Sequence, residues 1–179
     1  MIRAKIKRYL KKLIGRSGSL EVMSNSLVSD DSEIGQYTYI GYNCCITKSK
    51  IGRYCSIANN VSIGLGEHDH SNISTSSLFY ENPYQKLTQK DCIIGNDVWI
   101  GVDSIVRRGV SIGNGAVIGA NSFVNSDIPD FAIAAGNPAK IIKLRFNSTQ
   151  IEKINLSKWW DYELPQAKKI LQSLGKEIL

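Results

Sequence analysis

Only two histidines occur in the 179-residue chain, and both lie in one polar stretch, Gly66-Glu67-His68-Asp69-His70. A neutral imidazole near pH 7 suits removal of a proton from an alcohol or amine as it attacks a carbonyl. His68 is the first candidate for that role. Glu67, Asp69, Glu81 and Asp91 are close in sequence, and one of them would orient the ring. A backbone carbonyl would serve as well, and the sequence leaves the choice open. Tyr80 and Tyr84, further along the same stretch, are candidate acceptor (substrate) contacts.

Two other places carry chemistry-bearing side chains. Trp99 stands between two inward aliphatic residues, Val98 and Ile100, so it points outward and needs a cover. The spacing puts it at a corner. The cover is another subunit, a ligand between subunits, or both. Lys140 and Lys143 pair in Gly-Asn-Pro-Ala-Lys-Ile-Ile-Lys and could hold a phosphorylated ligand. Cys44, Cys45, Cys55 and Cys92 have no metal-ligand spacing and read as free thiols of a reducing compartment. Cys92 as a nucleophile lacks an identifiable activating environment.

The elements that must position these groups follow a six-residue period. Val22, Val28, Ile34, Ile40 and Ile46 keep it; one residue is dropped, and Ile51, Ile57 and Ile63 resume it. Ile94, Ile100, Val106, Ile112, Ile118 and Val124 repeat it again. A small or medium residue sits four positions later, as at Cys44, Cys55, Val61, Val98, Ser104, Val110, Ala116 and Ser122. This period fits neither an α-helix nor a half-buried flat strand. It fits an all-β solenoid in which each hexapeptide is one wall and three walls make a coil. Fourteen aliphatic positions give about five coils. Gly after the aliphatic residue suits a corner with positive φ.

The period stops between Ile63 and Ile94, so residues 64–92 form a long polar excursion that keeps the register on both sides. A loop of that length in a compact fold usually serves function. The chain divides into a leader at 1–20, a solenoid at 21–143 and a tail at 144–179. Residues 148–156 and 165–174 of the tail look helical. With Leu156, Trp159, Trp160, Leu164, Ile170, Leu171 and Leu174 they offer an apolar face that lies on the coils or a neighbouring subunit and closes the open end.

The net charge of +6 is concentrated in the leader. Arg3, Lys5, Lys7, Arg8, Lys11, Lys12 and Arg16 occur there without an acid. Residues 2–14 read as a short amphipathic helix, with Ile2, Ile6, Leu10, Leu13 and Ile14 near one face. Its apolar stripe packs on the domain, or residues 1–16 touch anionic lipid. Nucleic acid is not expected, because Tyr9 alone interleaves the charge. No apolar run spans a membrane and no secretory signal is visible, so a cytoplasmic protein is expected, peripheral at the inner face if the leader binds lipid.

The period, the loop histidine, GNDVWIG at 95–101, GNGAVIGANSFV at 113–124 and AAGNPAKII at 134–142 resemble the hexapeptide-repeat acetyltransferases. The branch most similar is that of the xenobiotic acetyltransferases and their relatives in surface-polysaccharide biosynthesis. Its loop pattern GxH followed by Ser-Thr is matched by Gly66-Glu67-His68 and Ser74-Thr75. The resemblance implies a left-handed parallel β-helix, a homotrimer and active sites between subunits. Left-handed winding opposes the usual crossover rule and is implied by the resemblance alone. It also implies His68 as general base, with His70 two places beyond the motif. Trp99, Gly119 and Ala120 match positions near the pantetheine arm of acetyl-CoA, and Lys140 and Lys143 match positions near its nucleotide end. Asn125-Ser126 stands where many relatives have Thr-Lys, and Ser77 where many have Pro.

The expected reaction is direct acetyl transfer from acetyl-CoA to a hydroxyl of a sugar or surface-polysaccharide precursor, with no metal. An antibiotic hydroxyl and a nucleotide-sugar amine are the other acceptors of the same chemistry. A carbonic-anhydrase-type zinc site needs three histidines, and the chain has two. A non-catalytic trimeric scaffold is the remaining reading.

Overall fold

The computed structural model describes residues 20–178, and the helix expected at 2–14 lies outside them. Each hexapeptide folds as a short strand followed by a turn. The first coil holds β1 (Glu21–Val22), β2 (Leu27–Val28) and β3 (Glu33–Ile34). The second holds β4 (Tyr39–Ile40), β5 (Cys45–Ile46) and β6 (Ser49–Ile51). The third holds β7 (Ser56–Ile57), β8 (Ser62–Ile63) and, after the excursion, β9 (Cys92–Ile94). β10 (Trp99–Ile100), β11 (Ile105–Val106) and β12 (Ser111–Ile112) form the fourth. β13 (Val117–Ile118) and β14 (Phe123–Val124) begin the fifth, which an Ile112–Ile128 bridge completes. β15 (Ala132–Ala135) opens a sixth, so the stack is slightly taller than the aliphatic positions count.

Strands three apart pair in parallel and build three walls. The first carries β1, β4, β7, β10, β13 and β15; the second β2, β5, β8, β11 and β14; the third β3, β6, β9 and β12. β16 (Lys140–Leu144) returns antiparallel to β15 and ends the first wall. This is the all-β solenoid expected, a parallel β-helix consistent with the left-handed class. Ile40, Ile46, Ile57, Ile63, Ile100 and Ile118 are buried in register. Each contributes about 1.5–3 kcal/mol relative to an exposed side chain. The second inward position holds Cys44, Cys55, Val98, Ser104, Ala116 and Ser122. The Cys44, Cys55 and Cys92 thiols each lie 3.1 Å from a carbonyl oxygen of a neighbouring coil, and all four cysteines are free. Burial pushes the Cys55 thiol up to about 12.

Two local expectations are corrected. The glycine after the aliphatic residue is not, in most coils, the residue with positive φ. Gly101 is needed because a Cβ there would lie 2.5 Å from the Ala120 nitrogen in the coil above. The left-handed turn falls two residues later, at Asn43, Asn60, Asp97, Asp103 and Asn121, residue types that tolerate it. Trp99 is therefore not at a corner. It lies in β10 on the flat first wall, paired with Ser56 and Val117, and is 56% exposed.

The tail does not simply close an end. Helices Ser148–Ser157 and Leu164–Ile178 run back along the corner between the third and first walls. Phe131, Ile154, Trp159, Trp160 and Ala167 form a second buried cluster there, with Tyr54 and Phe146 packed against it. Tyr54 meets Trp159 at 5.1 Å between ring centroids and stacks on Tyr37 at 4.6 Å. Glu163 bonds Arg53 at 3.1 Å and accepts the Tyr37 hydroxyl. No helix among the described residues is long and apolar enough to cross a membrane.

Candidate active site

The excursion leaves at the corner between the second and third walls. The dropped residue lies at the same corner one coil below, where Thr47 and Lys48 make a shortened turn and Lys48 has φ 42°. Arg108, at that corner one coil above, fills the gap. Its guanidinium donates to the carbonyls of Thr47 at 3.0 Å, Lys48 at 3.1 Å and Lys90 at 3.0 Å. A buried cation thus ties the end of the excursion to two coils.

Within the excursion only a 3₁₀ turn at Ser77–Phe79 and a short helix at Pro83–Leu87 are regular. Its anchors are otherwise polar. Arg107 grips Glu67 bidentately, at 2.7 and 2.9 Å. Lys86 meets Asp69 at 2.8 Å, and with the Ser71 hydroxyl it holds the Asp69 carboxyl well below the usual carboxylate range. The Tyr84 hydroxyl donates to the Asp31 carboxylate at 2.9 Å, pinning the excursion to the first coil.

His68 stands between the two anchored acids. Its Nδ1 is 2.5 Å from the Thr75 carbonyl oxygen. A carbonyl only accepts, so Nδ1 carries the proton and Nε2 of the neutral ring keeps its lone pair. None of the four sequence-adjacent carboxylates orients the ring; Glu67 and Asp69 are committed to cations, and Asp91 lies 3.8 Å from Lys48. The exposed imidazole borders a cleft of about 350 Å³ lined by Glu67, Asp69, Lys86, Lys90 and Arg107, among others. His70 shares the cleft but has no hydrogen-bond partner recorded among the described residues. The Tyr80 hydroxyl accepts from the Asp69 N–H at 2.9 Å and donates to the Thr75 oxygen at 3.2 Å.

The other candidates lie elsewhere. Outward residues of the first wall align across strands as Ser56, Trp99, Val117, Ile133 and Lys143. At roughly 4.8 Å per strand, Trp99 and Lys143 are about 14 Å apart on one line. Lys140 is exposed on the same β16. Gly119 and Ala120 turn the corner between the first and second walls, where the Gly119 carbonyl accepts the Ser104 and Ser122 hydroxyls. In a three-sided prism the excursion's corner is opposite the first wall. The structure gathers Trp99, Gly119, Ala120, Lys140 and Lys143 on one side and His68, Tyr80 and Tyr84 on the other.

Arg107, Arg108 and Lys86 were not among the candidates from sequence, and the backbone carbonyl offered there was not identified as that of Thr75. The adjacent cations Arg107-Arg108 were a readable signal, one coil above a loop containing Glu67. Nothing in side-chain identity points to a backbone carbonyl.

The Bacterial transferase hexapeptide (six repeats) family matches residues 91–126. The chain is 33% identical to a chloramphenicol acetyltransferase of Klebsiella aerogenes, over 86% of this chain and 87% of the relative. It is 35% identical to a galactoside O-acetyltransferase of Escherichia coli K12, over 62% of this chain and 52% of the relative. A hexapeptide-repeat-containing acetyltransferase from Vibrio cholerae, solved with acetyl coenzyme A, superposes with a TM-score of 0.59. That match has 25% identity and covers 80% of this chain and 79% of the other. With the repeat in place and relatives aligned over most of their length, this chain belongs to the hexapeptide-repeat acetyltransferases.

Proposed function

We propose that the chain transfers an acetyl group from acetyl-CoA to a hydroxyl of a sugar or surface-polysaccharide precursor, with His68 as general base. The observation that carries this reading is the bond from His68 Nδ1 to the Thr75 carbonyl, which leaves Nε2 free as a proton acceptor on a residue that lines the cleft. Nε2 takes the acceptor hydroxyl proton while that oxygen attacks the thioester carbonyl. Backbone N–H groups stabilise the tetrahedral oxyanion. The intermediate collapses, the carbon–sulfur bond breaks, and the imidazolium returns its proton to the departing thiolate.

Acetyl-CoA runs along the first wall in this proposal. Exposed Trp99, half-buried Val117 and the Gly119–Ala120 turn suit an uncharged pantetheine arm, and exposed Lys140 and Lys143 suit phosphates. That track lies opposite the excursion of its own chain, which supports a homotrimer in which the first wall of one copy faces the His68 loop of the next. The polar, charged lining of the cleft supports a sugar acceptor, as does the galactoside relative. The chloramphenicol acetyltransferase relative favours a second reading, an antibiotic hydroxyl as acceptor.

Thiol release from acetyl-CoA, measured with galactosides and with chloramphenicol, tests both. His68→Ala lowers transfer roughly 10²–10⁴-fold and keeps acetyl-CoA binding. Full transfer by that variant removes the role of His68. Turnover of chloramphenicol alone replaces the sugar reading.

A further inference from the structure

We infer that Tyr80 is a positioning residue for His68, fixing the carbonyl that sets the imidazole's tautomer, rather than a contact for the acceptor. The inference rests on the reading of His68 as general base. Residues 65–76 contain no strand or helix, so no backbone ladder fixes Thr75. The Tyr80 hydroxyl supplies the missing tie. It donates to the same Thr75 oxygen that accepts His68 Nδ1–H, and it accepts from the N–H of Asp69, the residue after His68. One phenol oxygen therefore joins both arms of the loop that brackets the base.

The tyrosine is itself aimed. Its N–H bonds the Ser77 carbonyl at 3.1 Å, closing the 3₁₀ turn that Ser76 caps. Its ring lies 6.3 Å from the imidazole, tilted by 48°. Asp69 is held from its other side by Lys86. With its proton given to Thr75, the phenol has no donor left for a sugar hydroxyl. Loss of the hydroxyl frees Thr75, and the ring is no longer held to the one tautomer and orientation that the Thr75 carbonyl imposes.

Tyr80→Phe keeps the ring and removes the tie. Nitrogen NMR of ¹⁵N-histidine-labelled protein, in a His70→Gln background so that one imidazole remains, reads the tautomer directly. We expect a single Nδ1-protonated form with Tyr80 and a mixture of tautomers with Tyr80→Phe. In acetyl transfer, Tyr80→Phe lowers kcat about 10-fold, the scale expected for modest misplacement of a catalytic group, and leaves the acceptor KM unchanged. It lowers nothing further in a His68→Ala background, because residues acting as one unit are not additive. Three results overturn the inference: an unchanged tautomer, an equal loss in both backgrounds, or a raised acceptor KM with kcat intact. If His68→Ala transfers at full rate, the base reading fails while the NMR result still decides the tie. An unchanged melting temperature shows that Tyr80→Phe is folded.

Discussion

Two appendages leave the prism at different corners, and they are attached by different physics. The tail brings Phe131, Trp159, Trp160 and Ala167 into a buried cluster. The excursion buries a single residue between positions 65 and 91, Thr88, and holds on to the coils through Arg107–Glu67, Arg108 and Tyr84–Asp31, while Lys86–Asp69 ties it to itself. Apolar burial is strong and indifferent to direction. Hydrogen bonds and ion pairs contribute less but fix orientation. The tail is built as a strap, whereas the excursion is built to aim side chains into a cleft.

The contrast breaks first at Trp159. Trp159→Ala should cost about 3–5 kcal/mol, as large-to-small changes in a core do, seen as a lower denaturation midpoint. If the midpoint hardly moves, the tail is not a strap. Acid is the second test. The Asp69 carboxyl is held down by Lys86, and that of Glu163 by the Tyr37 hydroxyl and Arg53. Each tie is present above the ordinary carboxylate range and is lost as pH falls through the lowered pKa. The tail still has its tryptophans in acid, and the excursion has no equivalent. Pepsin in acid should cut at exposed Leu78–Phe79 before the tail; cleavage in the reverse order would put the weaker attachment at the other corner. The smallest effect belongs to Lys86→Met, since partly exposed ion pairs contribute little. It should leave the melting temperature in place and make cleavage within the excursion several-fold faster at neutral pH. A lower melting temperature would mean that the excursion also supports the coils.

The ladder was legible because its period is a direct consequence of packing: two inward positions in six must be aliphatic or small. The limits of the excursion were legible as the gap in that period. The position of the left-handed turn was not, because Asn and Asp at that place also read as ordinary polar surface. Trp99 was correctly read as outward and misplaced by the same error, since the corner was put at the glycine. In the tail, the helices showed in composition, but their route did not. It depends on Tyr37, Arg53 and Tyr54, which read as surface residues of distant coils. For His68 the sequence offered a residue type suited to the proposed role and a backbone carbonyl as one possible orienting group, but a carbonyl has no sequence signature that singles out Thr75.

The excursion also bears on how the chain folds. Neighbouring coils elsewhere join residues 16 to 18 positions apart, as at Asn114–Asp130, Tyr42–Asn59 and Asn96–Asn114. Across the excursion the separation is 43, as at Asn60–Asp103. Loop-closure entropy grows only logarithmically, so the longer connection costs roughly 0.8 kcal/mol more. That is small beside one buried isoleucine, and it explains how a solenoid carries so large a loop. The same connection is the least local step along an otherwise local ladder, the kind of contact that closes late in folding. Coils before Ile63 and after Ile94 can each propagate from their own neighbours. Arg108, bonded to Thr47, Lys48 and Lys90, spans the seam where the two runs of coils meet.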